Sequence, residues 1–141
     1  MGQTTIGSPS AKTIGVTGEQ LFAFRALEEG LVPSVPIGDN CQYDFLIDSS
    51  KRISRVQVKS SSACQTDRKS GNCFSFYLKH AAKDIAYDSD AVDFFGLVVL
   101  PIRTIYIVPY NVFAKVTKAS VYPLKKSRSK LEPYREAWCL L

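Results

Sequence analysis

Four residues in this chain have the types and order to act on a phosphodiester: Glu19, Asp44, Gln57 and Lys59. Gln57 and Lys59 lie two apart in Ile53-Ser54-Arg55-Val56-Gln57-Val58-Lys59, and residues two apart on a strand share a face. Val56 and Val58 then fill the opposite face. Asp44 stands near the start of the apolar run Tyr43-Asp44-Phe45-Leu46-Ile47-Asp48, and a hairpin through Asp48-Ser49-Ser50-Lys51 would lay it beside that pair. Hydrolysis of a phosphodiester needs an activated water and neutralisation of the charge that builds on the phosphoryl group. One or two Mg2+ (or Mn2+) ions held by oxygen ligands supply both. Asp44 is the central ligand in this scheme, and Glu19 adds the charge that Gln57 lacks. The Gln57 amide oxygen and the Val58 carbonyl are further ligands. Lys59 orients or helps deprotonate the water and stabilises the scissile phosphate.

Each of these residues also has an ordinary use. Glu19 can be a helix acid, Asp44 a strand-end cap, and Gln57 with Lys59 a solvated strand face. The combination argues otherwise, because the valines fix which face is which. The remaining face still gathers Asp44, Arg55, Gln57 and Lys59.

The elements that must position them follow from pattern. Residues 1–15 are rich in Gly, Ser and Thr and are expected to form a flexible N-terminal segment, with a single domain over 16–141. Thr17 reads as a helix N-cap with Gln20 closing a capping box, which puts Glu19 in the first turn. Leu21, Phe22, Phe24 and Leu27 recur at helical spacing, and Gly30 stops the helix. Leu31 to Pro36 is an edge-like strand, since its two prolines cannot donate ladder bonds. Strands are expected at about 43–48 and 53–60, then a polar loop from Ser61 to Asn72. Further strands run over Cys73–Leu78, Phe94–Leu100 and Thr104–Val108. Tyr110 to Lys118 reads as a short helix, and Ser129 with Glu132 as the cap of a final one. The fold class is α/β (α+β), with a mixed central sheet flanked by helices.

Charge is distributed unevenly. Residues 1–50 sum to −4 and residues 51–83 to +7, within a net charge of +5. A basic block starting on the Gln57–Lys59 strand suits a phosphate backbone. Its candidate DNA contacts are Lys51, Arg52, Arg55, Ser60, Ser61, Arg68, Lys69, Lys79 and Lys83. Arg68 and Lys69 sit on a connection between two strands and are the first candidates for groove contacts. The four cysteines form no CxxC pair and there is one histidine, so no zinc is expected. No apolar run is long enough to span a bilayer, and the N-terminus lacks a signal-peptide core. The expectation is an intracellular, cytoplasmic and DNA-associated protein with no membrane role.

The layout Glu19…Asp44…Gln57-Val58-Lys59 resembles the PD-(D/E)XK nuclease superfamily, of restriction-endonuclease-like fold. The closer resemblance is to its group I intron homing endonuclease branch. It is carried by Gly18-Glu19, Gly38-Asp39-Asn40 before Tyr43-Asp44, Val56 to Ser60, Tyr87-Asp88, Val92 to Phe95, Ile105 to Pro109 and Tyr134 to Trp138. Glutamine replaces the usual second acid, as in the homing branch, and Tyr43 stands where the first motif has proline. The resemblance implies a Mg2+-dependent, site-specific double-strand DNA endonuclease. Cutting both strands requires at least two such sites, hence a homo-oligomer, dimer or tetramer, on a near-palindromic target. A Holliday junction resolvase, a restriction-type nuclease and a non-catalytic DNA-binding relative share that fold and stay open.

Overall fold

Ser10 starts the one α-helix among the described residues. Its Oγ accepts the Thr13 N–H at 3.2 Å, and α1 runs Ala11–Glu28 before Gly30 turns the chain at φ +77°. The computed structural model describes residues 7–69, 71–80, 85–125 and 129–141. Ten strands follow α1: β1 Val32–Ser34, β2 Phe45–Asp48, β3 Ile53–Ser61, β4 Gln65–Asp67, β5 Gly71–Tyr77, β6 Lys79–His80, β7 Ile85–Ala86, β8 Phe94–Val99, β9 Thr104–Pro109 and β10 Lys118–Val121. The central sheet has the order β1-β2-β3-β8-β9, in which only β3 and β8 are parallel. A second sheet has the order β10-β5-β4, and β6 pairs β7. The class is α+β with a mixed central sheet, as the pattern predicts.

Both faces of the central sheet are covered. Val56, Val58, Phe94, Val98, Ile105 and Ile107 pack with Phe22 and Ala26 of α1 and with Trp138. On the other face Phe95, Leu97, Val99, Tyr106 and Val108 meet Phe74, Phe76 and Val121 of the second sheet. β8 lies between the two layers, which is why all six of its residues are buried. Two glycines let α1 lie close on the sheet. A Cβ on Gly96 would stand 2.6 Å from the Phe22 ring, and one on Gly18 would stand 1.6 Å from Ser60 Oγ.

The structure corrects several sequence expectations. The helix begins well before Thr17, so residues 11–15 are its first turns and Glu19 is in its third. Thr17 instead donates its hydroxyl to the Thr13 carbonyl at 2.7 Å. The buried stripe is Gly18, Phe22 and Ala26, while Phe24 and Leu27 face outward. The Ser61–Asn72 loop holds β4 and its turn into β5, and β4 is exposed on both faces and so carries no hydrophobic period. Tyr110–Phe113 makes one 3-10 turn, and the chain then enters β10, which pairs β5. The final helix is two 3-10 turns, Glu132–Tyr134 and Trp138–Leu140. Glu136 between them takes φ +51° to bond the β9 edge, with its N–H on the Ile105 carbonyl at 2.7 Å and its Oε1 on the Ile105 N–H at 3.0 Å. Capping a sheet edge has overridden helical propensity there.

Candidate active site

The site forms where β2 and β3 part. Their ladder runs from Asp48↔Ile53 to Phe45↔Val56, and the Asp44 N–H still reaches the Val56 carbonyl at 2.9 Å. There β2 ends, leaving the next backbone donor of β3, the Val58 N–H, without a strand partner. The Asp44 side chain fills that position: Oδ2 accepts the Val58 N–H at 2.7 Å. The same oxygen accepts Gln57 Nε2 at 2.7 Å, and Nε2 also donates to the Val58 carbonyl at 3.2 Å.

Glu19 approaches from α1, on the opposite face of the sheet from Gln57 and Lys59. The four residues therefore meet around the open edge of β3 rather than on one face. A cleft of about 620 Å³ joins Glu19 of α1, Gln57 to Ser60 of β3, Ser75 to Tyr77 of β5, and Lys79.

Two acids share this part-buried site, and burial favours the protonated form of each. Burial, with the Glu19 charge adding to it, pushes the Asp44 carboxyl up to about 6 against the opposing pull of the Val58 N–H and Lys59. Burial also raises Glu19. Lys59 is lowered by burial, with Asp44 opposing. Its Nζ donates to the Lys79 carbonyl at 3.2 Å and lies 4.9 Å from the centre of the Tyr87 ring.

The donor set fits a hard divalent cation. It offers two carboxylates, the Val58 carbonyl and an amide, all oxygen donors that Mg2+ or Mn2+ accepts. Among the described residues no three of His, Cys, Asp and Glu come together, so any cation held here would also need the amide and the carbonyl. Gln57 presents nitrogen to Asp44 here; turning its amide over would offer Oε1 instead.

The candidate DNA contacts divide. Lys79 lines the cleft, and Ser60 and Ser61 end β3 beside it. Ser60 Oγ is buried with no bonding partner, against Gly18. Arg68 and Lys69 form the turn between β4 and β5, and Lys125 packs near Gly71 at the same tip. Three cations of the basic block stand apart. Arg55 is committed to Asp93, with Nη2 to Oδ1 at 2.8 Å and Nε to Oδ2 at 3.0 Å, and it also bonds the Asp90 carbonyl. Lys51 and Arg52 lie just beyond the other end of β3, roughly 25 Å from Lys59 at about 3.3 Å per residue. The Arg52 guanidinium stacks 5.4 Å from the Phe94 ring centre, and Lys51 lines a different hollow with Trp138. Lys83 lies outside the described residues. Tyr87 also lies against Lys59, and no spacing rule in the sequence links the two residues, 28 positions apart.

Comparison with known proteins places this geometry in context. Residues 9–141 match the PD-(D/E)XK endonuclease family. The solved structure of a bacterial homing endonuclease, I-Ssp6803I, superposes with a TM-score of 0.76 and 26% identity, over 94% of this chain and 91% of that one. No curated protein matches the chain. The restriction-endonuclease-like fold expected from the sequence is thereby confirmed, as is the resemblance to the homing branch.

Proposed function

The chain belongs to the PD-(D/E)XK endonuclease family, and from that premise we propose that it is a metal-dependent, site-specific endonuclease of the homing type, cutting both strands of a near-palindromic DNA target as a homo-oligomer. The observation that carries this reading is the open edge of β3. There Asp44 is fixed by a backbone N–H, while burial and, to a lesser degree, the Glu19 charge raise its proton affinity. The Val58 bond accounts for one carboxylate, but the fold gains nothing from a second one beside it. A cation-dependent hydrolase needs both.

Glu19, Asp44, Gln57 Oε1 and the Val58 carbonyl would hold Mg2+ or Mn2+. When bound, the cation supplies charge neutralisation and an activated water. The chain's own residues do the rest. The Val58 N–H pins Oδ2 of Asp44, so the carboxylate is preorganised. Lys59 keeps ammonium donors beyond the one given to Lys79, and these face the scissile phosphate. Lys79, Ser60 and Ser61 line the approach of the backbone. The β4–β5 ribbon, two strands wide beyond Cys73, has the width of a major-groove reader, with Arg68 and Lys69 at its tip. Lys51, Arg52 and Arg55 contribute to the general field and not to the cleft.

The test is digestion of a pool of random duplex DNA with Mg2+, beside EDTA and an Asp44→Ala variant. Discrete cuts at a two-fold-related sequence, lost in both controls, are expected. Cuts confined to a four-way junction supplied in parallel would move the assignment to a resolvase. Salt-sensitive binding with no cutting of either substrate would make the chain a non-catalytic relative.

A further inference from the structure

The Lys59 ammonium is held on two sides by one small hairpin. Its Nζ donates to the Lys79 carbonyl at 3.2 Å and sits 4.9 Å from the Tyr87 ring centre. Lys79 pairs across the β6–β7 ladder with Ala86, the neighbour of Tyr87. The carbonyl therefore issues from β6 and the ring from the residue that follows β7, and together they make a socket for a cation.

The socket is rigid on the aromatic side. Tyr87 is 5% exposed and stands edge-to-face with Phe95 at 5.6 Å. The Tyr110 hydroxyl donates to the Tyr87 carbonyl at 2.7 Å, and the next residue, Asp88, donates its N–H to Gln42 Oε1 at 2.8 Å. The simpler account is that Tyr87 only fills the core it belongs to. That account leaves the cation unexplained. A core position needs no ammonium over its ring, and a half-buried lysine needs compensation, which the negative face of an aromatic ring supplies.

We propose that Tyr87 is a positioning residue for cleavage: its ring, with the Lys79 carbonyl, holds the Lys59 ammonium at the place where the scissile phosphate must come. A lysine side chain has four rotatable bonds, and fixing them before DNA arrives removes an ordering cost from the transition state. The proposal rests on the reading of Lys59 as a catalytic residue. It assigns the work to the ring, not to the phenol hydroxyl.

Tyr87→Phe keeps the ring, whereas Tyr87→Leu and Tyr87→Met replace it with apolar volume. Single-turnover cleavage at saturating DNA is measured with Mg2+ on a duplex recovered from the random pool. The dissociation constant is measured with Ca2+. Tyr87→Phe should cut within about 3-fold of the parent, and the two aliphatic variants should be slowed about 10- to 30-fold with unchanged DNA affinity. A carbon–proton correlation spectrum of the parent should show the Lys59 ε-methylene shifted upfield by the ring. That signal, assigned by its loss in Lys59→Arg, should persist in Tyr87→Phe and vanish in Tyr87→Leu. It needs no cleavage, so it holds even where an aliphatic variant folds poorly. The proposal is overturned if Lys59→Ala is inactive while both aliphatic variants cut at the parent rate, or if Tyr87→Phe loses as much as Tyr87→Leu. An unshifted ε-methylene in the parent overturns it as well. If Lys59→Ala itself cuts normally, the catalytic reading of Lys59 falls and the proposal falls with it.

Discussion

Oδ2 of Asp44 accepts the Val58 N–H at 2.7 Å, the bond that β2 would have supplied had it continued beside β3. A carboxylate has replaced a strand at one ladder position. The replacement opens the sheet edge, exposes the Val58 carbonyl to the site, and orients an acid that α1 then crowds with a second one.

In the proposed mechanism Lys59 stabilises charge that exists only as the phosphodiester breaks. Lys59→Ala should therefore lower the single-turnover cleavage rate by about 10²- to 10³-fold while DNA binding changes by less than about 3-fold. Rapid-quench kinetics beside a Ca2+ binding titration separates the two. A loss carried mainly by affinity would make Lys59 a phosphate anchor instead.

Gln57→Glu should fold and retain at least part of the activity, because glutamate places a carboxylate where the amide oxygen is required. In the absence of metal the added charge beside Asp44 and Glu19 is unfavourable, so the variant should have a lower Tm without Mg2+. Mg2+ should raise that Tm more than it raises the parent's. Thermal melts with and without Mg2+ check both signs.

Metal alone should stabilise the parent. At Mg2+ tenfold above its Kd, linkage gives about 1.4 kcal/mol, or roughly 4–6 °C in Tm for a domain of this size. Asp44→Ala should show no such rise. An equal rise in both proteins would place the cation elsewhere.

Arg55 and Asp93 tie the start of β8 to β3 through paired side-chain and backbone bonds. The bonds from Arg55 hold the Asp93 carboxyl below its usual range. A depressed carboxylate contributes stability above its unfolded pKa, about 3.9, and loses it as pH falls through the folded value. Asp93→Asn should thus cost about 1 kcal/mol near neutrality, a figure kept small by solvent on both side chains. It should cost nothing in strong acid. Urea melts at several pH values test this, and a difference independent of pH would remove the ion pair as its cause.

Arg68 sits at the tip of a ribbon whose β5 strand covers six residue steps from Tyr77 in the cleft to Gly71. At about 3.3 Å per step that is roughly 20 Å, or about six base pairs at about 3.4 Å each. Arg68→Ala should relax sequence preference about six base pairs from the cut and leave the cutting rate on the preferred target within a few-fold. Sequencing of cleaved products from a random pool shows which positions loosen.

Much of this site was legible because its logic is local. The alternation of Val56 and Val58 with Gln57 and Lys59 fixes the two faces of β3, and Asp44 needs only a hairpin to reach them. Glu19 was legible as a helix acid but not its turn, since Ser10 and Thr17 are equally good capping residues on paper and only Ser10 binds a free N–H. What stayed hidden is what other elements do. Nothing in the run from Lys51 to Lys59 shows that Arg55 belongs to Asp93, or that a strand's length carries Lys51 and Arg52 away from the cleft. Tyr87 reaches Lys59 only through the sandwich of two sheets. β4 has no buried face to give it a period, and Glu136 leaves helical geometry to cap a sheet edge that the sequence does not advertise.

The central claim is that Glu19, Asp44, Gln57 and Lys59 form one metal-dependent site that hydrolyses DNA. Single-turnover cleavage of a duplex target by the parent and by Asp44→Ala, each with Mg2+ and with EDTA, tests it most directly when both proteins are shown to bind that duplex equally in Ca2+. The account predicts cutting by the parent with Mg2+ and in none of the other three reactions. Cutting by Asp44→Ala at the parent rate, or by the parent in EDTA, would contradict it.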